Sequence, residues 1–329
     1  MPIKKTDRME FLSDLGKKAG SGILGLGLLS SLTGSSSDCR STPIQELGPY
    51  PAMKFRNNSE HDVDLTHVNG SNTAASGEII TIFGKVTDEN CNPVKSAIVE
   101  IWSADHYGKY HHEFDSQGIH DPNFQGWGQV FTNKDGQYSF KTIIPGQYAS
   151  RTRHIHFKIS RRGYHELVTQ LYFEVEELNS TDGVLNILTH EEQMEVIRPI
   201  TNDRDQSKVE FNIRIESVKK GELPEKVLKE YAGTYELEFK DTILDKFIQR
   251  VVGEKYDKLN LIIDHSASQI YMNLPYTPRT EIIWAQKDEF QAWSFYNSYF
   301  RFKRNSSGKI ESLELHYGGD ENIIKGLKL

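Results

Sequence analysis

Apolar positions along this chain come in short blocks of β-branched and aromatic residues, broken by Gly, Pro, Asn and Asp. Residues 79–86 read as a strand, 88–93 as a turn and 97–102 as a second strand, with 129–132 and 138–143 flanking the turn Asn133-Lys134-Asp135-Gly136. Two further blocks, 154–157 and 168–173, continue the pattern, and Val209, Phe211, Ile213 and Ile215 alternate as a last strand. Short strands at this spacing predict a β-sandwich. Residues 219–225 read as a linker. Beyond them, aromatic strands at 282–284, 292–295 and 299–302, with a hairpin turn over 305–309, predict a small antiparallel β-sheet or barrel. The fold class expected is all-β, with a sandwich over 41–218 and a small β-rich module over 226–329. The linker composition predicts few contacts between them, so a chain ending near Lys220 is expected to keep any site in the sandwich.

Charge adds an exclusion. Of 329 residues, 39 are basic and 46 acidic, giving a net charge of −7, and the Lys and Arg are scattered. Nothing here builds the basic stripe that nucleic acid requires. No apolar run reaches the roughly 20 residues that span a bilayer. Residues 1–40 look like an export signal or lipoprotein-type leader: basic residues precede an uncharged Gly- and Leu-rich stretch over 19–32. Arg8-Met9-Glu10-Phe11-Leu12 resembles a degraded twin-arginine motif, and Cys39 is a candidate lipid attachment point. Export is the expectation. Cys39 and Cys91 are the two cysteines, so one disulfide at most can form, and none if Cys39 is lipidated.

The candidate chemistry lies in Tyr110, Tyr148, His154 and His156. His154 and His156 are two apart, so on a strand both imidazoles leave one face while Ile155 points away. Tyr148 follows the turn residues Pro145-Gly146. Taken alone, a His-x-His pair is more often a half-exposed strand pair than a ligand set. Two neutral imidazoles and two phenolates together suit a hard ferric ion, whereas zinc favours Cys and His, and calcium favours carboxylates. Tyr107 rivals Tyr110. His106, His111, His112 and His120 read as solvated loop histidines.

From Gly48-Pro49-Tyr50 to Ile215 the chain resembles the intradiol ring-cleavage dioxygenases. The resemblance rests on residues 99–105, Gly108-Lys109-Tyr110, Asp121-Pro122-Asn123-Phe124, Asp135-Gly136-Gln137-Tyr138-Ser139-Phe140, Pro145-Gly146-Gln147-Tyr148, His154-Ile155-His156-Phe157 and 169–173. It implies a non-haem Fe(III) with Tyr110 and His154 as equatorial and Tyr148 and His156 as axial ligands, and the Gly-x-Tyr spacing favours Tyr110 over Tyr107. It implies an oxidoreductase that inserts both atoms of O2 between the hydroxylated carbons of a catechol, giving a muconate-type diacid. Tyr148 would leave as a base, Arg151 would stabilise carbanion character on the ring, and Gln170 would support the site from behind. Trp102 is expected to pack beneath Tyr110, and Gly48-Pro49-Tyr50 to line the pocket or form a plain turn. Thr152-Arg153 replace the family's Pro-Ala, adding a charge near the site, and Ser150 stands where some members carry an aromatic. The competing reading is a non-catalytic exported β-sandwich that binds ligand and retains a metal site. The second module resembles small β-modules appended to secreted hydrolases, which says little about function.

Overall fold

The structure is a computed structural model that describes residues 40–51, 62–112, 115, 118–204, 206–218, 223–238, 258–266, 268–275, 277–317 and 322–329. The leader (save Arg40), Cys39 and most of the linker lie outside the described residues. The strands that alternate in sequence form two five-stranded sheets. One holds β1 (Ile79–Thr87), β4 (Gln137–Ile143), β8 (Thr201–Asp203), β9 (Gln206–Glu210) and β10 (Ile213–Arg214). The other runs β3 (Trp127–Phe131), β2 (Ile98–Trp102), β5 (His154–Ser160), β6 (Leu167–Phe173), β7 (Ile197–Arg198). Their inner faces bury Ile80, Ile82, Phe140, Val99, Ile101, Ile155, Phe157, Leu171 and Phe211 in one core. Burying each of these side chains contributes about 1.5–3 kcal/mol relative to exposure.

The expected last strand is broken. After β9, the Asn212 side chain accepts the Lys85 N–H at 3.0 Å, and pairing resumes at Ile213, with β9 and β10 both parallel to β1. A helix also appears in the long stretch before it. In α1 (His190–Val196), Thr189 and Glu192 form a reciprocal capping box, a Thr-x-x-Glu signature that satisfies two terminal amides.

β5 and β6 are buried along almost their whole length, so both of their faces are covered. One face meets the core. The opposite face presents Trp102, His156 and Gln170 in register across β2, β5 and β6, with His154 beside Tyr172 one pleat away.

The second module is a closed eight-stranded barrel, β11 (Gly233–Glu238), β12 (Lys258–Ser266), β13 (Gln269–Asn273), β14 (Thr280–Gln286), β15 (Glu289–Ala292), β16 (Ser298–Arg304), β17 (Ile310–His316) and β18 (Ile323–Lys328), entered through helix α2 (Glu225–Tyr231). Closure removes the unpaired strand edges that a sheet of this size would expose. Its aromatics are core: Tyr231, Phe290 and Phe302 meet edge to face at 4.9–5.6 Å. The expectation of few contacts between modules does not hold. Lys158 Nζ donates to the Arg279 carbonyl at 2.9 Å, Glu281 accepts from the Glu166 amide and meets His165, and Gln269 donates to the Tyr164 carbonyl. These contacts join residues more than a hundred positions apart, which a composition-based linker reading cannot see. Cys91, at positive φ in the β1–β2 turn, is disulfide-bonded.

Candidate metal centre

Four rings close a loop on the outer face of the second sheet. Tyr110 and Tyr148 stand edge to face at 5.2 Å between centroids, Tyr148 and His154 at 5.6 Å, His154 and His156 at 4.9 Å, and His156 and Tyr110 at 6.2 Å. Tyr110, His154 and His156 are buried, and Tyr148 is partly exposed with its phenol oxygen buried. Tyr110 Oη, Tyr148 Oη, His154 Nε2 and His156 Nδ1 are all buried; the two imidazole nitrogens have no hydrogen-bond partner, and the two phenols face each other. Such groups each cost about 1–3 kcal/mol unless something satisfies them. Concentrating four in one place fits a site that a cation completes.

Electrostatics agree with the donor chemistry. Burial, then the neighbouring charge of Arg151, pushes the His154 imidazole down to about 3, so it is neutral and able to donate a lone pair. Burial, then His154 and Arg151, holds His156 well below the usual imidazole range. Burial and the facing Tyr148 hold the Tyr110 phenol well above its usual range, and burial holds Tyr148 up against the lowering effect of Arg151. Both phenols therefore stay protonated until a strongly charged cation displaces the protons. That donor set, two imidazoles and two phenols, fits a ferric ion bound by Tyr110, Tyr148, His154 and His156.

Local structure explains the convergence. His154 and His156 share a face because β5 has period two. Thr152 O meets His154 Nδ1 at 2.7 Å, which turns Nε2 toward the cluster. Trp102 stacks on His156 at 4.8 Å and 4°, and shares a small apolar cluster with Leu47, Ala104, Tyr110 and Val168. The loops that carry the two tyrosines are joined backbone to backbone. Asp105 O accepts from Gly108 N and from Gly146 N, while the Asp105 carboxylate takes the amides of Tyr107, Lys109 and Asp121. Asp115 accepts the Tyr110 amide at 2.8 Å. Gly108 has φ +75, and a Cβ there would lie 2.1 Å from the Gln147 carbonyl. Gly108→Ala is therefore expected to force the two loops apart, destabilise the fold by about 1–3 kcal/mol and weaken iron retention. Iron content after dialysis and an unfolding midpoint check this. Unchanged values for both would mean that the loops adapt.

Behind the rings, Arg151 Nε donates to Asp182 at 2.8 Å, and a second guanidinium nitrogen donates to Gln170 Oε1 at 2.7 Å and to Tyr172 Oη at 3.3 Å. Tyr172 in turn donates to Gln170 Oε1, and Gln45 bonds both the Tyr172 hydroxyl and the Gln170 amide. Asp182 and Gln45 carry no pattern in sequence that marks them, and Tyr172 is marked only as part of the 169–173 segment. Burial alone would raise the Asp182 carboxyl, but the Leu185 amide, Arg151 and the Thr152 amide together hold it below the usual carboxylate range.

The structure separates the two tyrosine candidates: Tyr107 is 50% exposed, with its hydroxyl toward Ser76. Gly48 and Tyr50 are at the site, Tyr50 lying 5.2 Å from Tyr110 and a Gly48 Cβ falling 3.1 Å from His156. Arg153 turns its charge to Glu176 at 3.2 Å. Of the loop histidines expected to be solvated, His106 is exposed, but His111, His112 and His120 are half-buried. His111 and His120 approach Asp105 closely enough that their ligand atoms and a carboxylate oxygen lie within 4.8 Å of one another. The three amides that the Asp105 carboxylate already accepts make it a loop clamp.

The dioxygenase family profile matches residues 50–217. The protocatechuate 3,4-dioxygenase beta chain of Burkholderia cepacia is 39% identical over 132 residues, covering 37% of this chain and 56% of that one. The 6-chlorohydroxyquinol 1,2-dioxygenase of Cupriavidus pinatubonensis is 27% identical over 187 residues, covering 51% of this chain and 64% of its own. The chain thus spans less than two thirds of either relative. Among solved structures, the dioxygenase domain of a dioxygenase–carbohydrate-binding protein fusion from Streptomyces sp. SirexAA-E is 28% identical, covers 54% of this chain and all of that domain, and gives a TM-score of 0.42. With half the chain matched by the family profile, and with its tyrosines and histidines meeting in one buried cluster, the protein belongs to the intradiol ring-cleavage dioxygenases.

Proposed function

We propose that the protein is a ferric intradiol dioxygenase that cleaves a catechol between its hydroxylated carbons to a muconate-type diacid, with both oxygen atoms drawn from O2. One observation carries this reading: two phenol and two imidazole rings, their polar atoms buried, stand 4.9–6.2 Å apart in one cluster beside a guanidinium held by Asp182. A ferric ion there would make a bound catecholate electron-rich enough to react with O2. The chain's own groups do the rest. His154 and His156 stay neutral, and the buried Tyr110 keeps a fixed position. Tyr148, the one ring of the four that is partly exposed, has the freedom to move aside, and its oxygen takes a substrate proton. Arg151, held by Asp182 and Gln170, places positive charge where the ring gains electron density. Leu47, Trp102 and Val168 keep water from the back of the cluster.

The test is an oxygen-electrode screen of iron-loaded protein across a catechol panel, with anaerobic mixing followed by an oxygen pulse. The expected results are a red to burgundy protein and oxygen uptake matched to substrate. A colourless, inactive iron-loaded protein sinks the reading, and a coloured protein that binds catechols yet consumes no oxygen favours the binding module. Arg151→Met should leave the resting colour and slow the oxygen step on the order of a hundredfold, the scale of one lost electrostatic donor. Normal turnover would make Arg151 a structural residue.

Export is part of the proposal. A disulfide-bonded Cys91 accords with an oxidising compartment. A pairing of Cys91 with Cys39 would leave the leader without a lipid at that position.

A further inference from the structure

The outer face of β5 carries His154, His156 and Lys158 in succession, two residues apart and therefore about 6.6 Å along the strand from one to the next. Lys158 is the point at which that face meets the barrel, through the Arg279 carbonyl. The barrel is therefore docked on the ligand-bearing face itself, one pleat beyond the histidines.

A second contact reaches the cluster from the side. Residues 45–47 lie between the two modules. On one flank, Gln45 N donates to Val168 O at 2.8 Å, and Glu46 O accepts from Gln170 Nε2 at 3.0 Å. On the other flank, Leu47 N donates to the carbonyl of Ser294 in the turn between β15 and β16, at 2.9 Å. Leu47 itself belongs to the apolar cluster of Tyr110 and Trp102, against which Tyr50 and Tyr148 pack. Tyr296 and Asn297, two and three residues further on in that turn, both hold positive φ, at 52° and 50°. Consecutive non-glycine residues in this region cost of order 1–3 kcal/mol each and persist only where surroundings impose them.

Tyr296 packs against Phe295 and Tyr317 at 5.7 and 5.3 Å. Its hydroxyl is buried, and the phenol is held up first by burial, with Glu46 and the phenols of Tyr317, Tyr148 and Tyr50 as its electrostatic neighbours. Glu46 is raised by burial and eased by Arg151. A barrel tyrosine, a carboxylate and the site's own tyrosines thus share one electrostatic neighbourhood.

We propose that the barrel turn over residues 293–297, led by Tyr296, is the pocket wall that meets the ring substituent, and that with Glu46 it selects catechols bearing an uncharged substituent over carboxylated ones. The inference rests on the four-ring cluster being the catechol site. An aromatic wall gains contact with a neutral substituent, while a buried carboxylate opposes a second one by like-charge repulsion. The barrel then acts in specificity, a role that its resemblance to appended modules does not suggest.

The test uses the full iron-loaded chain and anaerobic equilibrium titration with catechol, 4-methylcatechol, 4-phenylcatechol and 3,4-dihydroxybenzoate, read by the absorption change on binding. Tyr296→Ala should weaken 4-phenylcatechol about tenfold, the scale of one lost pocket contact, and leave unsubstituted catechol within a factor of about two. Tyr296→Phe, which keeps the ring, should stay close to wild type on both ligands. Glu46→Gln should tighten 3,4-dihydroxybenzoate by about tenfold, the effect of removing a like charge. Equal weakening of every ligand by Tyr296→Ala, or an unchanged preference in both Tyr296→Ala and Glu46→Gln, overturns the proposal. A wild-type protein that binds no catechol overturns the underlying function as well, so the two failures are told apart.

Discussion

His154→Ala and Tyr110→Phe are each expected to abolish colour and to cut iron retention and turnover by on the order of a hundredfold or more, beyond the 10–100-fold typical of residues that merely support a ligand. The folded apo-protein should respond differently. His154 Nε2 is buried without a partner and Tyr110 Oη is buried facing Tyr148, so the empty cluster opposes folding, and removing one polar atom relieves part of that opposition. Tyr110→Phe deletes only the hydroxyl, and its apo-form should be as stable as wild type or slightly more so. The iron-dependent rise in unfolding midpoint, set by how far metal exceeds its dissociation constant, should vanish. Metal analysis after dialysis, visible absorption, and unfolding with and without iron form one experiment. If Tyr110→Phe keeps full colour and turnover, Tyr110 is not a ligand.

The second large effect is expected at Asp182, far from the rings in sequence. Its fully buried carboxylate accepts Arg151 Nε and the backbone amides of Thr152, Val184 and Leu185. Asp182→Ala leaves a guanidinium without its counter-charge and three amides without acceptors, a loss of about 3–5 kcal/mol. Asp182→Asn keeps the shape and one acceptor oxygen, so it should fold and show its defect at the oxygen step through a poorly held Arg151. The pH dependence has a definite sign. The folded carboxyl lies below its unfolded value, so its stabilisation is complete above about pH 4 and is lost as pH falls further. Denaturant midpoints for both variants across that range test this. A midpoint for Asp182→Ala matching wild type would remove Asp182 from the account.

What could be read from the sequence was what repeats locally. Period-two alternation marks β1, β2 and β4 to β6, and places His154 and His156 on one face with no knowledge of their neighbours. Tyr110 and Tyr148 could be picked out through the resemblance of their glycine-containing loops to the family's, but how those loops join could not. That depends on Asp105 reaching both Gly108 and Gly146 through its backbone, and on how close Gly108 comes to Gln147. Nothing in the sequence marks Asp182, because Arg151 and Thr152, which it joins to the site, lie some thirty residues upstream. The broken last strand hides behind unbroken alternation, since Asn212 interrupts the ladder with a side chain. Most distant of all is the barrel: Leu47 and Ser294 are far apart in the chain, and neither has a composition that announces a contact.

The docking of the barrel on the ligand-bearing face has a kinetic consequence. Two modules on one chain meet at an effective concentration that dilution cannot lower, in the millimolar range for a short tether. If the barrel turn finishes the catechol pocket as proposed, that pocket re-forms by an intramolecular step, and the preference among catechols should hold from micromolar stocks to nanomolar assays. Undocking would then be a unimolecular opening of that pocket, with a rate independent of protein concentration.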